Sequence, residues 1–263
     1  MKILLTSLFF LSGSLSSMAQ ARFELAPPLI KYSSVFFTGR AEARIKFAQP
    51  GAAAHYTLNG AEPTEKSPVS TGVVRIRKNF TVLKTKAFGE GFLPSASTSV
   101  TFIKDGLQVK NTVYTIPDSR YPGNGAGALT DNLGGDELLS AATWLGYYCD
   151  TVNVLITLAK KQKVTEVLIN FLQNQSGWIF LPEKISLEYD DLRTGEYLPA
   201  GEEILPEEAE SAGSRCVYQR VRLKEKQVTD KIMVHLYVKR SIPAWHTAKG
   251  SHAWMFIDEL KVY

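Results

Sequence analysis

The sequence predicts an all-β protein built from two consecutive sandwiches. Short runs rich in β-branched and aromatic residues recur along the chain, separated by Gly, Pro, Asn and Asp, and helical periodicity is almost absent. Several runs alternate apolar and polar residues, which is typical of antiparallel strands that bury one face. The predicted strands are Ala43–Phe47, Val73–Arg77, Thr81–Phe88, Val152–Leu158, Val164–Leu172, Ile185–Tyr189, Cys216–Leu223 and Lys231–Lys239.

The N-terminus has the pattern of an export signal. Met1-Lys2 gives a positive start, Ile3–Leu11 is a mainly apolar run, and Ser17-Met18-Ala19 is a small-x-small cleavage site. This pattern predicts a signal peptide over residues 1–19, cleaved after Ala19, and therefore a secreted or periplasmic protein. The apolar run is too short to span a bilayer, and no later run is long enough to predict a membrane span.

Composition and charge narrow the class of protein. The chain of 263 residues is 44% hydrophobic and 21% charged, which is typical of a globular protein. Its net charge of +4 is too weak to indicate nucleic acid or an anionic membrane as a partner. The two cysteines, Cys149 and Cys216, leave two alternatives open. They form a disulfide, as an exported protein allows, or they are free thiols that pack as small hydrophobic groups.

A domain boundary is predicted near Asp105-Gly106. Before it, Ser95–Ile103 has the pattern of a final strand, and after it a new pattern begins. Residues 22–104 suit a small immunoglobulin-like sandwich, and residues 106–263 suit a jelly roll of about eight strands. The acidic stretch Gly201–Glu210 is predicted to be a surface loop or a short helical turn.

Two turn-rich motifs characterise the first domain. They are Tyr56-Thr57-Leu58-Asn59-Gly60-Ala61-Glu62-Pro63-Thr64 and the segment Thr85–Ser95. Both combine a strand with an Asn-Gly or Gly-rich turn, so their residues are predicted to shape turns rather than to bind a ligand. They resemble the chitobiase/β-hexosaminidase C-terminal-type domain, although Asn59 stands where that family usually has Asp. The resemblance implies an immunoglobulin-like fold for this domain.

A longer series of motifs characterises the second domain. It comprises Gly127–Asn132, Trp144–Tyr147, Ser176–Pro182, Ile185–Tyr189, the loop that contains Trp245-His246, and Phe256–Leu260. In this order the motifs resemble a discoidin-like (coagulation factor 5/8 type C) domain, which implies a galactose-binding-like β-sandwich jelly roll. The order of the two domains is similar to that at the C-terminus of bacterial family 20 β-hexosaminidases. The resemblance implies a glycan ligand of N-acetylhexosamine or galactose type.

The same resemblance implies a structural calcium ion. Its ligands would be Asp131, Asp136 and Glu259, together with backbone carbonyls around residues 126–134. Calcium takes about six to eight oxygen ligands, which carboxylates and loop carbonyls supply. Asn132 departs from the family, which usually has Gly there, but Asn tolerates a positive φ better than most residues. The alternative is a solvated acidic turn without a metal.

The candidate ligand-binding residues share an aromatic or a donor side chain near the predicted loops. They are Trp178, Trp245, His246, Lys249 and His252, with Tyr147 and Tyr148 behind them. Aromatic faces stack on the C–H face of a sugar, while Lys and His donors bind its hydroxyl groups. Trp144 and Trp254 are predicted to pack in the core, and an alternative for Trp245-His246 is that it pins the loop. Zinc at His246 and His252 is not favoured, because no third ligand lies nearby in the sequence.

Catalytic motifs do not accompany these domains. The sequence lacks Gly-x-Ser-x-Gly, His-Glu-x-x-His and Walker motifs, and the adjacent acids Asp258 and Glu259 would point to opposite faces of a strand. We therefore predict a secreted carbohydrate-binding accessory protein that is not an enzyme. One alternative is a structural or protein-interaction module that partners a glycoside hydrolase. A second alternative is an enzyme related to β-N-acetylhexosaminidases.

Overall fold

A computed structural model describes residues 23–211 and 213–263. The predicted signal peptide, residues 1–19, lies outside them. Over the described residues the regular elements are strands and one turn of 3-10 helix at Gln175–Gly177, which confirms the all-β class. No helix in these two ranges has the length and apolarity that crossing a membrane requires.

Strands β1 to β7 form two sheets. They are β1 (Leu29–Lys31), β2 (Phe36–Phe37), β3 (Ala41–Lys46), β4 (Ala52–Thr57), β5 (Val73–Ile76), β6 (Phe80–Gly89) and β7 (Thr98–Lys104). One sheet has the order β1-β3-β5 and the other the order β2-β7-β6-β4. β3 alternates strictly, so that Ala43 and Ile45 face inward and meet Leu83 and Phe102 of the opposite sheet in one buried cluster. This is the predicted small sandwich.

Strands β8 to β14 form the second sandwich. They are β8 (Val109–Tyr114), β9 (Leu145–Tyr147), β10 (Thr151–Asn174), β11 (Lys184–Asp191), β12 (Glu196–Ile204), β13 (Ser214–Tyr237) and β14 (Met255–Val262). β10 and β13 pair antiparallel along most of their length, with register shifts between Thr157 and Gln162 and between Val164 and Glu166. Before the shifts β10 also pairs with β8, and after them it pairs with β14. The seven strands form one hydrogen-bonded sheet in the order β12-β11-β13-β10-β14-β9, with β8 paired to β10. The bent hairpin of β10 and β13 joins the two halves of this sheet.

The bend changes which residues of β10 face the core. Val152 and Val154 are buried before it, and Val167 and Ile169 are buried in the same core cluster after it. Successive side chains of a strand point to opposite faces, so the change from even to odd numbers reflects the irregular register at the bend. Both ends of β10 consequently lie at the same end of the sandwich, where the loops that follow β9 and precede β14 also lie.

The first domain packs on the outer face of the second. Phe36 and Leu168 lie in one buried cluster. Tyr218 of β13 stands edge-on to Phe36 and also to Phe80, with ring centroids 6.4 Å apart in each pair. Edge-on contact is a geometry that aromatic pairs favour. The contact fixes the small sandwich against one part of the second domain's sheet. This part is formed by β14, the second half of β10 and the first half of β13.

Candidate functional site

Two aromatic side chains stand together at the loop end of the second domain. Tyr148 follows β9, and Trp254 directly precedes β14. Their ring centroids are 5.1 Å apart and the ring planes are tilted by 37°. Tyr148 is 51% exposed, and Trp254 is partly exposed. We call Tyr148 and Trp254 the aromatic platform.

Packing and backbone hydrogen bonds hold the platform from below. Phe256 is buried two residues after Trp254, and Tyr121 lies edge-on to both rings at centroid distances of 4.7 Å and 5.6 Å. The N–H of Trp254 donates to the carbonyl of Trp178 at 2.9 Å, and its own carbonyl accepts the N–H of Phe180 at 3.0 Å. The loop that contains Trp178 therefore fixes the backbone of the platform.

An arginine covers one side of the platform. The guanidinium carbon of Arg120 lies 4.8 Å from the centroid of the Trp254 ring, within the range of a cation–π contact. Arg120 also donates to both carboxylate oxygens of Asp118, from Nε at 2.9 Å and from Nη2 at 3.2 Å. These hydrogen bonds lower the pKa of Asp118. The pair therefore presents a fixed cation and an anion beside an aromatic face.

A second polar pair, His252 and Asp150, lies beside the other ring of the platform. His252 stands edge-on to Tyr148 with ring centroids 5.0 Å apart, and its Nε2 lies 3.4 Å from Oδ1 of Asp150. The other oxygen of Asp150 accepts a hydrogen bond of 2.9 Å from Arg240. Polar groups therefore lie beside each of the two rings.

Trp245 and His246 hold loops together. The indole N–H of Trp245 donates to the carbonyl of Glu208 at 3.1 Å. Both ring nitrogens of His246 lie at hydrogen-bond distance from backbone atoms: Nε2 is 3.0 Å from the carbonyl of Gln175, and Nδ1 accepts the N–H of Ala248 at 3.0 Å. This geometry corresponds to the alternative that Trp245-His246 pins the loop.

The remaining predicted ligand-binding residues are His252, Trp178 and Lys249. His252 contacts it directly, as described above. Trp178 is 42% exposed and adopts a φ of 63°, and its carbonyl holds the backbone of Trp254. Lys249 is exposed on the turn that precedes His252. Within the predicted set, His252 is therefore a neighbour of the platform, whereas Trp178, Trp245 and His246 support loops.

The acidic stretch Gly201–Glu210 begins within β12 and continues as a loop, not a helical turn. Glu208 is buried within it, and its carboxylate accepts the N–H of Leu181 at 2.8 Å and also pairs with the amide of Gln173. Together with the Trp245 contact, these bonds anchor the loop between β12 and β13.

Residues 34–101 match the family model of the chitobiase/beta-hexosaminidase C-terminal domain. The match covers both turn-rich motifs of the first domain and confirms the resemblance predicted from them. No curated protein matches the chain at a significant level.

Solved structures align with the chain at low identity. The family 32 carbohydrate-binding module of EndoD from Streptococcus pneumoniae is 15% identical at a TM-score of 0.37, over 60% of this chain and 96% of that one. A two-domain protein of unknown function from Bacteroides fragilis is 10% identical at 0.36, over 90% and 94%. A GH29 fucosidase from Ruminococcus gnavus is 14% identical at 0.35, over 58% of this chain but only 24% of the fucosidase. No ligand or activity of this chain follows from likenesses at this level.

Each predicted calcium ligand has its own partner within the fold. Asp131 and Asp136 each use Oδ1 to accept the N–H of the residue two positions further on, at 2.8 Å and 2.9 Å. Glu259 lies fully buried in β14. Across residues 23–211 and 213–263, no group of three or more His, Cys, Asp or Glu side chains has an arrangement that could hold a metal ion.

An ammonium group already lies beside the buried carboxylate of Glu259. Nζ of Lys261 is 2.8 Å from Oε1 of Glu259, 2.7 Å from Oδ1 of Asn132 and 3.0 Å from Oδ1 of Asp105. Burial raises the pKa of Glu259, and the ammonium opposes this rise. The second oxygen of this carboxylate, Oε2, is buried and has no hydrogen-bond partner among the described residues. One free side-chain oxygen, beside an ammonium group that occupies the other oxygen of the same carboxylate, is far short of what calcium requires, so these side chains as arranged do not fit the metal.

Asp258 is a second buried acid in the same strand. Its Oδ2 accepts the N–H of Gly135 at 2.8 Å, and its Oδ1 accepts a hydrogen bond of 2.6 Å from the amide of Asn170. Burial raises its pKa to about 7. Asp258 and Glu259 are therefore both engaged inside the fold and do not face each other across a groove.

Both cysteines are free thiols, which is the packing alternative of the two left open by the sequence. Cys149 packs against the main core, with its sulfur 3.5 Å from the carbonyl of Thr151. Cys216 packs against a separate cluster that contains Trp144. Burial raises the pKa of the Cys216 thiol to about 12, so it is protonated at neutral pH.

The sequence named Tyr148 as a residue behind the ligand-binding set and predicted that Trp254 packs in the core. Trp144 is buried as predicted, whereas Trp254 is partly exposed and Tyr148 is 51% exposed. Tyr147 is buried in β9, and successive strand residues point to opposite sides. That alternation is the signal that identifies Tyr148 as the outward-facing tyrosine of the pair.

Proposed function

We propose that this protein binds carbohydrate on the aromatic platform of Tyr148 and Trp254. The observation that carries the proposal is the partly open pair of rings with a polar pair of side chains beside each ring. Aromatic rings stack on the C–H face of a sugar, and carboxylate and guanidinium groups accept from and donate to its hydroxyl groups. An apolar surface with a few convergent polar groups is typical of small-molecule sites.

The charged groups beside the platform are held in place before any ligand arrives. Arg120 is fixed by two hydrogen bonds to Asp118, and Arg240 is fixed by one to Asp150. A site whose polar groups are already ordered loses less conformational entropy on binding. This arrangement supports a site for hydroxyl-rich ligands rather than an accidental aromatic cluster.

We propose that binding is the role of this domain, in an exported accessory protein that is not an enzyme. The buried contacts of Asp258 and Glu259 support this, because each carboxylate serves the fold. The resemblance of the second domain to discoidin-like domains favours an N-acetylhexosamine or a galactose-type ligand. Trp178 and Lys249 then border the site, while Trp245 and His246 support its loops.

A second candidate function is association with a glycoside hydrolase. The match of residues 34–101 favours it, because that family is described as the C-terminal domain of chitobiase and β-hexosaminidase. This role is compatible with glycan binding by the second domain. Co-purification with a hydrolase, lost on deletion of residues 23–104, is the result that would support it.

Retention by immobilised or gel-embedded glycans tests the main proposal. We expect a panel that includes polymers of N-acetylglucosamine and galactose to retard the protein, and Tyr148→Ala to abolish the retardation. Tyr32→Ala is the matched control, since Tyr32 is a similarly exposed tyrosine, at 43%, in the first domain. Failure of every glycan to retard the wild type, or equal retardation of Tyr148→Ala, would contradict the proposal.

A further inference from the structure

We infer that the ammonium group of Lys261 serves as a built-in cation where the sequence predicted calcium, and that it ties the two domains together. The second domain then needs no metal at this loop. The inference is independent of glycan binding, because it concerns the opposite face of β14 from the core and the junction with the first domain.

Three oxygens from three different segments of the chain surround Nζ. They come from β14 itself (Glu259), from the loop that was predicted to bind calcium (Asn132), and from the connection between the domains (Asp105). All three distances, 2.7 to 3.0 Å, are those of charge-assisted hydrogen bonds. An ammonium group has three donors, so three oxygens saturate it.

Asn132 connects Lys261 with Asp105. Its backbone has a φ of 63°, a left-handed conformation that asparagine tolerates better than most residues. Its side chain then reaches two partners: Oδ1 accepts from Lys261, and Nδ2 donates to Oδ2 of Asp105 at 3.1 Å. A glycine at this position would allow the turn but provide neither group. The asparagine therefore serves the ammonium site as well as the turn.

The ammonium group of Lys261 also contacts the first domain. The ammonium lies 5.5 Å from the centroid of the Phe36 ring, within cation–π range. Asp105, which bridges to Lys261, also accepts a hydrogen bond of 2.6 Å from the hydroxyl of Thr38. Phe36 and Thr38 flank the end of β2, so the buried lysine side chain links that strand to β14.

A calcium ion and the Lys261 ammonium would compete for the carboxylate of Glu259. A calcium ion near Oε2 of Glu259 would lie close to a buried ammonium that is already bound to Oε1 of the same carboxylate. Two cations that share one carboxylate in a poorly solvated site repel each other strongly. Occupation by calcium would therefore require Lys261 to leave the site and to abandon Asn132 and Asp105.

Thermal unfolding of the purified protein in EGTA and in millimolar calcium chloride tests the metal part of the inference. Ligands that bind only the folded state raise the midpoint temperature by mass action. We expect the two midpoints to agree within about 1 °C. A midpoint several degrees higher in calcium than in EGTA would overturn the inference.

Substitution of Lys261 tests the structural part. Lys261→Met keeps most of the apolar stem and removes the ammonium, which leaves a buried carboxylate without its cation. We expect the midpoint temperature to fall by on the order of 10 °C. The matched control is Lys110→Met, at an exposed lysine of β8 that forms no ion pair with a described residue, and it should change the midpoint by about 1 °C or less.

A double variant keeps the test decisive if Lys261→Met does not fold. Glu259→Gln together with Lys261→Met removes the ammonium and the fully buried carboxylate, so only the partly exposed carboxylate of Asp105 is left without its cation. We expect the double variant to fold and to melt above Lys261→Met. Wild-type stability of Lys261→Met, or a double variant no more stable than Lys261→Met, would contradict the role given to the ammonium.

Discussion

The indole N–H of Trp245 donates a hydrogen bond of 3.1 Å to the backbone carbonyl of Glu208. This bond joins the loop that follows β13 to the loop that precedes it. The carboxylate of Glu208 continues the connection inward by accepting the N–H of Leu181. Loop support and the proposed ligand contact therefore fall on different aromatic residues, so substitutions can separate the two roles.

Trp245→Ala should lower stability and leave the site intact. The variant loses the hydrogen bond to Glu208 and the contact with the Phe180 ring, whose centroid is 6.2 Å away. We expect the free energy of unfolding to fall by about 1–3 kcal/mol, measured by urea denaturation. Trp245→Phe, which keeps an apolar ring, should lose less. Lost glycan retention with unchanged stability would assign Trp245 to the site instead.

Arg120→Ala should weaken glycan binding. Arg120 lies over the Trp254 ring and is oriented by Asp118, so its removal takes a fixed donor from the edge of the platform. We expect the dissociation constant to rise by about three- to tenfold in calorimetric titration. Arg222→Ala is a control at an exposed arginine of β13. Equal effects of the two substitutions would show that only net charge matters.

Asp258 predicts a pH dependence of stability. Its pKa is about 7 in the folded protein because it is buried, whereas an unfolded Asp titrates near about 3.9. Between these values the folded state holds a proton that the unfolded state has released. The free energy of unfolding should therefore fall as the pH rises from about 4 to about 7, by up to a few kcal/mol from this group.

Asp258→Asn isolates this contribution, because the amide does not titrate. Urea denaturation of both proteins across the same pH range compares the slopes, whatever the variant's absolute stability. We expect a shallower fall in the variant. Parallel slopes in the two proteins would mean that Asp258 does not titrate in this range.

The sequence was a good guide to the fold class and a weaker guide to strand ends. Alternation identified both halves of β10, but as separate strands. Val152–Leu158 and Val164–Leu172 are parts of one strand, Thr151–Asn174. No Gly or Pro interrupts residues 158–164, so the chain bends through irregular register instead of breaking. Sequence periodicity shows that the buried face of the strand changes, but it does not show that one strand continues through the bend.

The proposed platform lies among the loops that the sequence singled out, but its two rings are not among the residues predicted to contact the ligand. Trp254 meets Tyr148 and Arg120 only because loops distant in sequence converge at one end of the sandwich. The polar partners that give Trp245 and His246 a supporting role are backbone carbonyls, and residue types do not reveal these. The pairing of Lys261 with Glu259 was readable in principle, since residues two apart on a strand share a face.

Calorimetric titration of Tyr148→Ala and Trp178→Gly with the best-retained glycan tests the central claim most directly. Glycine suits the left-handed backbone at Trp178, so that variant removes a neighbouring exposed indole without adding backbone strain. The account predicts a dissociation constant at least about tenfold higher for Tyr148→Ala and little change for Trp178→Gly. Loss of affinity in Trp178→Gly with unchanged binding by Tyr148→Ala would contradict it.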